Sequence, residues 1–279
     1  MGTAAGSIYV DNIKIYGKDG FRDDFETGTA LSGDNWRSGK NGAMSQSLAD
    51  DPIRAGNRVF KAAQTNTGAD GASWIENLNG FTALNSGATV VETSFLIPKS
   101  PIGGDELYSQ IYNVSEQNVT QQKIFYFISE GMILDSDKET IIAESFPENE
   151  WFSMRLTFYH EKMCYDMELV HDDGSITVLR KNYDVPGGGF GEAFASSGIV
   201  KTRIAYNPKK RTLEDGEQAP AIYVDEHKVI HYELPEVIGA VSVEGESAPV
   251  EQQTLEALLI RVADHDLQLL VAHDRVAAL

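Results

Sequence analysis

Short runs of alternating apolar and polar residues, broken by Gly, Asn and Asp, fill the chain from about residue 20 to residue 232. A period of two sends successive side chains to opposite faces of an extended backbone, so these runs predict strands covered on one face. Their β-branched and aromatic content places strands over 21–26, 58–63, 73–77, 88–97, 107–113, 122–128, 132–135, 140–143, 151–159, 164–170, 175–181, 199–206 and 221–231. Between two of them, His171-Asp172-Asp173-Gly174 reads as a tight hairpin turn, because Asp-Gly supplies the positive φ angles such a turn requires. Phe25, Val59, Phe95, Ile111, Phe127, Leu156, Phe158 and Ile204 are the expected core. Gly187-Gly188-Gly189-Phe190-Gly191 has neither the Lys-Ser/Thr ending nor the βαβ context of a phosphate-binding loop and is expected to be a flexible loop. The basic Pro208-Lys209-Lys210-Arg211, followed by Glu214-Asp215-Gly216-Glu217, reads as a solvated hairpin tip.

The pattern also repeats itself once. Ile8-Tyr9-Val10-Asp11 with Lys14 returns as Ile222-Tyr223-Val224-Asp225 with Lys228, a separation that suits one large β domain rather than a solenoid repeat. Residues 1–17 are therefore expected to be the closing strand of a preceding module or an N-terminal extension, with one β domain over 18–235. After Pro235 the alternation stops. A linker containing Gly239, Gly245 and Pro249 leads to residues 252–279, where Leu255, Val262, Leu269 and Val276 recur every seventh position. That spacing fits an amphipathic or coiled-coil helix able to join copies of the chain. The same stretch also reads as strands 258–263 and 267–272, the truncated start of a further module.

Composition narrows the classes of function. The 279 residues, 42% hydrophobic, are enough to bury a sizeable core. A formal charge of −19 argues against nucleic acid or an anionic membrane as partner, since both reward clustered Lys and Arg. Cys164 is the single cysteine, which removes any intramolecular disulfide and any cysteine-based zinc site. No basic segment followed by an apolar run opens the chain, and no apolar stretch reaches membrane-spanning length. The expectation is an extracellular or cell-surface location as part of a larger protein; a complete chain would instead fit a cytoplasmic protein or a virion component.

Phe21-Arg22-Asp23-Asp24-Phe25-Glu26-Thr27-Gly28, then Asn35-Trp36, Asp51-Pro52 and Gly56-Asn57 before Val59-Phe60, resemble the first strands of concanavalin A-like (laminin G-like) jelly-roll domains. Glu150-Trp151-Phe152-Ser153-Met154-Arg155-Leu156 is similar to an inner strand of that family, and Ile222-Tyr223-Val224-Asp225 to its closing strand. The resemblance implies an all-β fold, a two-sheet antiparallel jelly-roll sandwich with a short C-terminal extension. It also implies a structural calcium ion where the first and last strands meet, with Asp24, Glu26 and Asp225 in the matching positions. Carboxylate oxygens are the hard ligands calcium takes.

Tyr108, Gln110 and Tyr112 alternate and so share a face, and with Trp74 and Tyr126 they are the expected sugar-binding platform. Rings stack on the apolar faces of pyranoses while amides fix the hydroxyls. Catalytic signals are thinner. No Glu-x-Asp-x-Glu run supplies the paired carboxylates of a glycosidase, and Glu144, Glu150 and Glu168 read as isolated surface residues. Gln110-Ile111-Tyr112 looks like the Gln-Ile-His strand of alginate-lyase-like jelly rolls with Tyr in place of His. The expected function is thus a non-catalytic carbohydrate-binding or adhesion module of a larger surface or tail protein; a polysaccharide lyase or hydrolase and a structural spacer are the alternatives.

Overall fold

A computed structural model describes residues 17–27, 31, 33–77, 86–99, 105–114, 119–128, 131–187, 189–213 and 215–232. The expected closing strand before residue 17 and the expected helix or partial module over 252–279 lie outside the described residues. The fold is a two-sheet antiparallel β-sandwich. Its strands are β1 (Gly17–Asp23), β2 (Trp36–Lys40), β3 (Met44–Asp50), β4 (Arg58–Gln64), β5 (Ser73–Asn77), β6 (Ala88–Leu96), β7 (Glu106–Val114) and β8 (Val119–Ile128). They continue as β9 (Ile133–Asp135), β10 (Ile141–Ala143), β11 (Trp151–Tyr159), β12 (Cys164–His171), β13 (Ile176–Asp184), β14 (Lys201–Asn207) and β15 (Ala221–Tyr232), with α1 (Gly189–Ser197) between β13 and β14. An eight-stranded sheet runs β13-β12-β11-β6-β15-β4-β3, with β1 also paired to β15. A seven-stranded sheet runs β10-β9-β8-β7-β14-β5-β2.

Alternation explains how the two sheets close on each other. Phe95, Phe152, Leu156 and Phe158 of one sheet and Ile75, Ile111, Phe127 and Ile204 of the other point inward into one continuous core, as period two requires. Val59 is fully buried as expected, yet not there: it joins Leu96 and Trp151 in a separate cluster on the opposite face of the eight-stranded sheet. The Phe21–Phe25 segment also works through packing. Phe21 meets the Trp36 ring edge-on at 5.1 Å and Phe25 stacks on it at 5.6 Å. Asp23 holds the bend, accepting from the Phe25 amide at 2.8 Å and from Trp36 Nε1 at 2.8 Å.

Strand β15 is the pivot of the larger sheet. One edge pairs with β6 over 223–232, while the other pairs with β4 over 221–224 and with β1 over 227–232. A bulge between Asp225 and His227 marks the change of partner. Beyond the bulge, His227 turns into the core and bridges the sheets: its ring nitrogens lie 2.7 Å from Thr93 Oγ1 and 2.7 Å from Thr202 Oγ1. A second buried imidazole, His160, lies 2.7 Å from Thr89 Oγ1 and stacks on Phe194 at 4.9 Å.

On its outward face the eight-stranded sheet carries a row of alternating charge. Glu168 of β12, Arg155 of β11, Glu92 of β6 and Lys228 of β15 are register neighbours. Arg155 Nε lies 2.6 Å from Glu92 and its Nη1 3.4 Å from Glu168, while Lys228 Nζ lies 2.8 Å from Glu92. Glu168 is therefore tied into a cross-strand network rather than isolated at the surface.

Three further expectations need correction. Residues 189–197 form a helix, not a flexible loop, because Phe190, Ala193 and Phe194 fall at i, i+3 and i+4 and all three are buried. That burial outweighs the poor helix propensity of the glycines around them. Arg211 is no solvated tip: it is buried and paired with Asp105, which also accepts from the Tyr206 hydroxyl at 3.1 Å. Strands β2 and β3 went unpredicted because they carry polar side chains that work across the sheet edges. Gln46 of β3 donates to the Gly39 carbonyl at 3.1 Å and to the Trp74 carbonyl at 3.1 Å, tying one sheet's edge to the other's. The Asp173-Gly174 turn is as expected, with Gly174 at φ +82°.

Candidate functional site

The outward face of the seven-stranded sheet gathers the predicted platform into transverse rows. The first row runs Gly39, Trp74, Ala205, Tyr108, Tyr126 across β2, β5, β14, β7 and β8. Two residues further along β2, β5, β14 and β7, and three along β8 where the register shifts, a second row runs Arg37, Glu76, Arg203, Gln110, Lys123, and a third contains Lys201, Tyr112 and Gln121. Trp74, Tyr108, Gln110 and Tyr112 thus share one face, and the register puts Tyr126 opposite Tyr108; the Tyr126 side chain lies outside the described residues. With neighbouring strands about 4.8 Å apart, five strands make a band roughly 19 Å wide.

Glu76 is the electrostatic centre of the band. Its side chain is almost fully buried, and Arg203 donates to one oxygen through Nε at 3.0 Å and Nη2 at 2.6 Å. Arg37 and Lys201 approach the other oxygen at 3.6 Å and 3.7 Å. The Arg203 guanidinium lies between rings, 4.5 Å from the Trp74 centroid and 5.2 Å from that of Tyr112, so stacking and hydrogen bonds fix it together. Lys123 lies 4.5 Å from the Tyr108 ring. Burial pushes the Tyr112 phenol up to about 12, with Arg203 opposing the rise and the nearby Glu76 adding to it. At neutral pH it is a hydroxyl able to donate and accept.

One polar atom of this band, Gln110 Oε1, is buried without a hydrogen-bond partner among the described residues, while the Tyr112 hydroxyl faces the Glu76 carboxylate. Glu76, Arg203, Lys201, Arg37 and Lys123 were absent from the sequence-based site. Alternation alone pairs Trp74 with Glu76 and Lys201 with Arg203, but no local signal shows that β5 and β14 are neighbours.

Gly39 sets the position of Trp74. A Cβ at this residue would lie 2.4 Å from Trp74 ring carbons. The Gly39→Ala protein is therefore expected to displace that ring, changing the near-UV circular dichroism and increasing acrylamide quenching of tryptophan fluorescence. An unchanged spectrum and quenching constant would show that the ring does not pack there.

The carboxylates expected to hold calcium do not form one donor set. Asp24 accepts from the Glu26 amide at 3.2 Å, Glu26 accepts from the Arg58 amide at 3.1 Å, and Asp225 accepts from Asn57 Nδ2 at 3.2 Å beside Arg54 at 3.5 Å. A guanidinium thus stands beside Asp225. Among the described residues no group of three or more His, Cys, Asp or Glu side chains is placed to hold a metal ion. A separate pocket of about 680 Å³ reaches Leu107, Phe127 and Tyr206 past a rim of Lys61, Lys99, Glu148 and Glu217, whose mixed charge selects no ligand. No described helix is long and apolar enough to cross a membrane.

No protein-family model matches the chain, and no curated protein matches it. Among solved structures, the lectin UEA-II complexed with galactose superposes with a TM-score of 0.50 at 8% identity, covering 77% of this chain and 100% of that one. Lectin II from Ulex europaeus gives 0.49 at 8% identity over 77% and 100%, and a putative β-glucanase from Mycobacterium abscessus 0.44 at 12% over 76% and 100%. At such identities the likeness is one of fold, and in fold the chain is a concanavalin A-like β-sandwich.

Proposed function

We propose that this domain is a non-catalytic carbohydrate-binding module of a larger surface or tail protein, with the outward face of the seven-stranded sheet as its sugar site. The observation that carries the reading is the band itself: Trp74 and Tyr108 in one register row, with Glu76, Arg203 and Gln110 in the next. Aromatic faces beside fixed polar groups are what pyranose recognition demands. The lectin that shares the fold is complexed with galactose, which is compatible with the reading.

An enzymatic reading has less support. Within the three rows Glu76 is the only carboxylate among the described residues, and it is committed to Arg203, whereas a glycosidase needs two. A lyase needs a base, and a phenol raised to about 12 is a poor one at neutral pH. The test is a glycan-array screen of the full chain, with a reducing-end and unsaturated-product assay on the same polysaccharides. Retention without product, lost in Trp74→Ala, is expected. Product formation would replace this reading with the enzymatic one, and failure to retain any glycan would leave a structural spacer.

A further inference from the structure

We infer that strand β13 joins two copies of this chain into a closed dimer, the two strands pairing antiparallel about Thr177. The surface lies away from the aromatic band, and the inference does not depend on sugar binding. Among the described residues five large hydrophobic side chains are exposed, and three of them, Ile176, Val178 and Tyr183, belong to β13, which ends the eight-stranded sheet. A fourth, Ile141, belongs to β10, which ends the other sheet.

The two ends of the larger sheet are finished differently. At the β3 end, Gln46 Nε2 reaches the Gly39 carbonyl, the Trp74 carbonyl and Ser73 Oγ, so the edge is stitched to the other sheet. At the β13 end, only the second half of the strand is anchored in this way. There Arg180 reaches Asp135 of the other sheet at 2.6 Å and the Tyr165 hydroxyl at 2.9 Å. Register shifts on both sides of Met167 bend that half, which blunts it as an edge. The first half, Ile176–Val178, pairs with β12 without a shift and carries neither proline nor charge. Its outer side has no strand neighbour among the described residues and is a template for another strand.

The sequence of β13 selects a second copy of itself for that place. With Thr177 opposite Thr177 of the second copy, Ile176 faces Val178 twice, on the side of the sheet that carries Val170. In the same register Asp173 of the hairpin turn stands across from Lys181 twice, and both residues are exposed. Aliphatic and opposite-charge pairs are the cross-strand contacts that stabilise a sheet. Other registers that keep the faces of the sheet continuous lose this match. A centre at Ile176 sets Val178 against Gly174, one at Val178 sets Ile176 against Arg180, and one at Leu179 sets Ile176 against Asn182. A two-fold pairing uses β13 of both copies, and β3 is already stitched, so assembly stops at two.

The experiment is analytical ultracentrifugation of the full chain over a concentration series, with variants at exposed positions of β13. A reversible monomer–dimer equilibrium without larger species is expected. Val178→Lys, which sets a cation against Ile176 of the second copy at two symmetric places, is expected to weaken dimerisation about tenfold or more, with an unchanged near-UV circular dichroism spectrum. Thr177→Cys is expected to give a disulfide-linked dimer on mild oxidation, since residues directly opposite in an antiparallel pair have Cα atoms about 4.5–5.5 Å apart, within disulfide reach. Lys181→Cys should give none, because its counterpart lies far across the two-fold axis, and the native Cys164 is buried. A chain that stays monomeric at every concentration, or that grows beyond a dimer, would overturn the inference. A dimer that Val178→Lys leaves intact, or that Thr177→Cys does not cross-link, would overturn it too and place the association elsewhere, with residues 252–279 the next surface to test.

Discussion

Acidification from about pH 6.5 to about pH 4.5 is expected to remove on the order of 5 kcal/mol of folding stability through two histidines alone. His227 is completely enclosed, and burial drives its pKa down to about 3. His160 is lowered to about 4, first by burial and then by His231, with Glu161 acting in the opposite sense. The unfolded chain takes up protons near the ordinary value of 6.5, while the folded chain keeps both rings neutral. Below that value the unfolded state binds more protons, so stability falls with the pH, by about 1.4 kcal/mol per unit per histidine, until the folded values are reached. Urea unfolding at closely spaced pH values measures the slope, and His160→Gln should reduce it by about half. A flat profile between about pH 6.5 and 4.5 would mean that neither ring is buried and neutral.

Removal of Arg155 carries the other large effect. Its guanidinium and the Glu92 carboxylate are both buried, and although burial itself opposes ionisation of Glu92, Arg155 and Lys228 together hold its pKa below the usual carboxylate value. Arg155→Ala leaves that carboxylate with Lys228 alone in a covered position, at an expected cost of about 3 kcal/mol. Replacing both partners by apolar residues of similar size, Arg155→Met with Glu92→Leu, should recover most of the loss, since the desolvation of both ions disappears with them. Denaturant melts of the two single variants and the double variant close the cycle. A double variant no more stable than Arg155→Ala would show that the row stabilises the sheet by more than cancelling its own burial.

What could be read in advance divides along a physical line. Period-two alternation is local, so most of the strands, the inward faces of the expected core residues other than Val59, and the common face of Tyr108, Gln110 and Tyr112 were readable from neighbouring residues. Strand pairing is not local: β5 and β14 lie far apart in sequence, and nothing near Glu76 announces Arg203 as its partner. The same limit applies around Asp225, whose neighbours Arg54 and Asn57 come from a loop distant in sequence. Strands β2 and β3 and helix α1 were missed for a different reason. Their value lies in edge-bridging amides and in three buried positions, neither of which alters average composition enough to stand out.

The position of β15 also sets a timetable for the chain as it is made. This strand lies between β6 on one side and β4 and β1 on the other, so the earlier strands of the larger sheet face a vacant slot until synthesis passes residue 232. Every pairing that fills it is long-range, the kind of contact that forms slowly. A nascent chain released before residue 221 would expose two open strand edges at the centre of a hydrophobic sheet, each a template for intermolecular pairing. Premature termination in this protein should therefore produce aggregates rather than a smaller soluble domain.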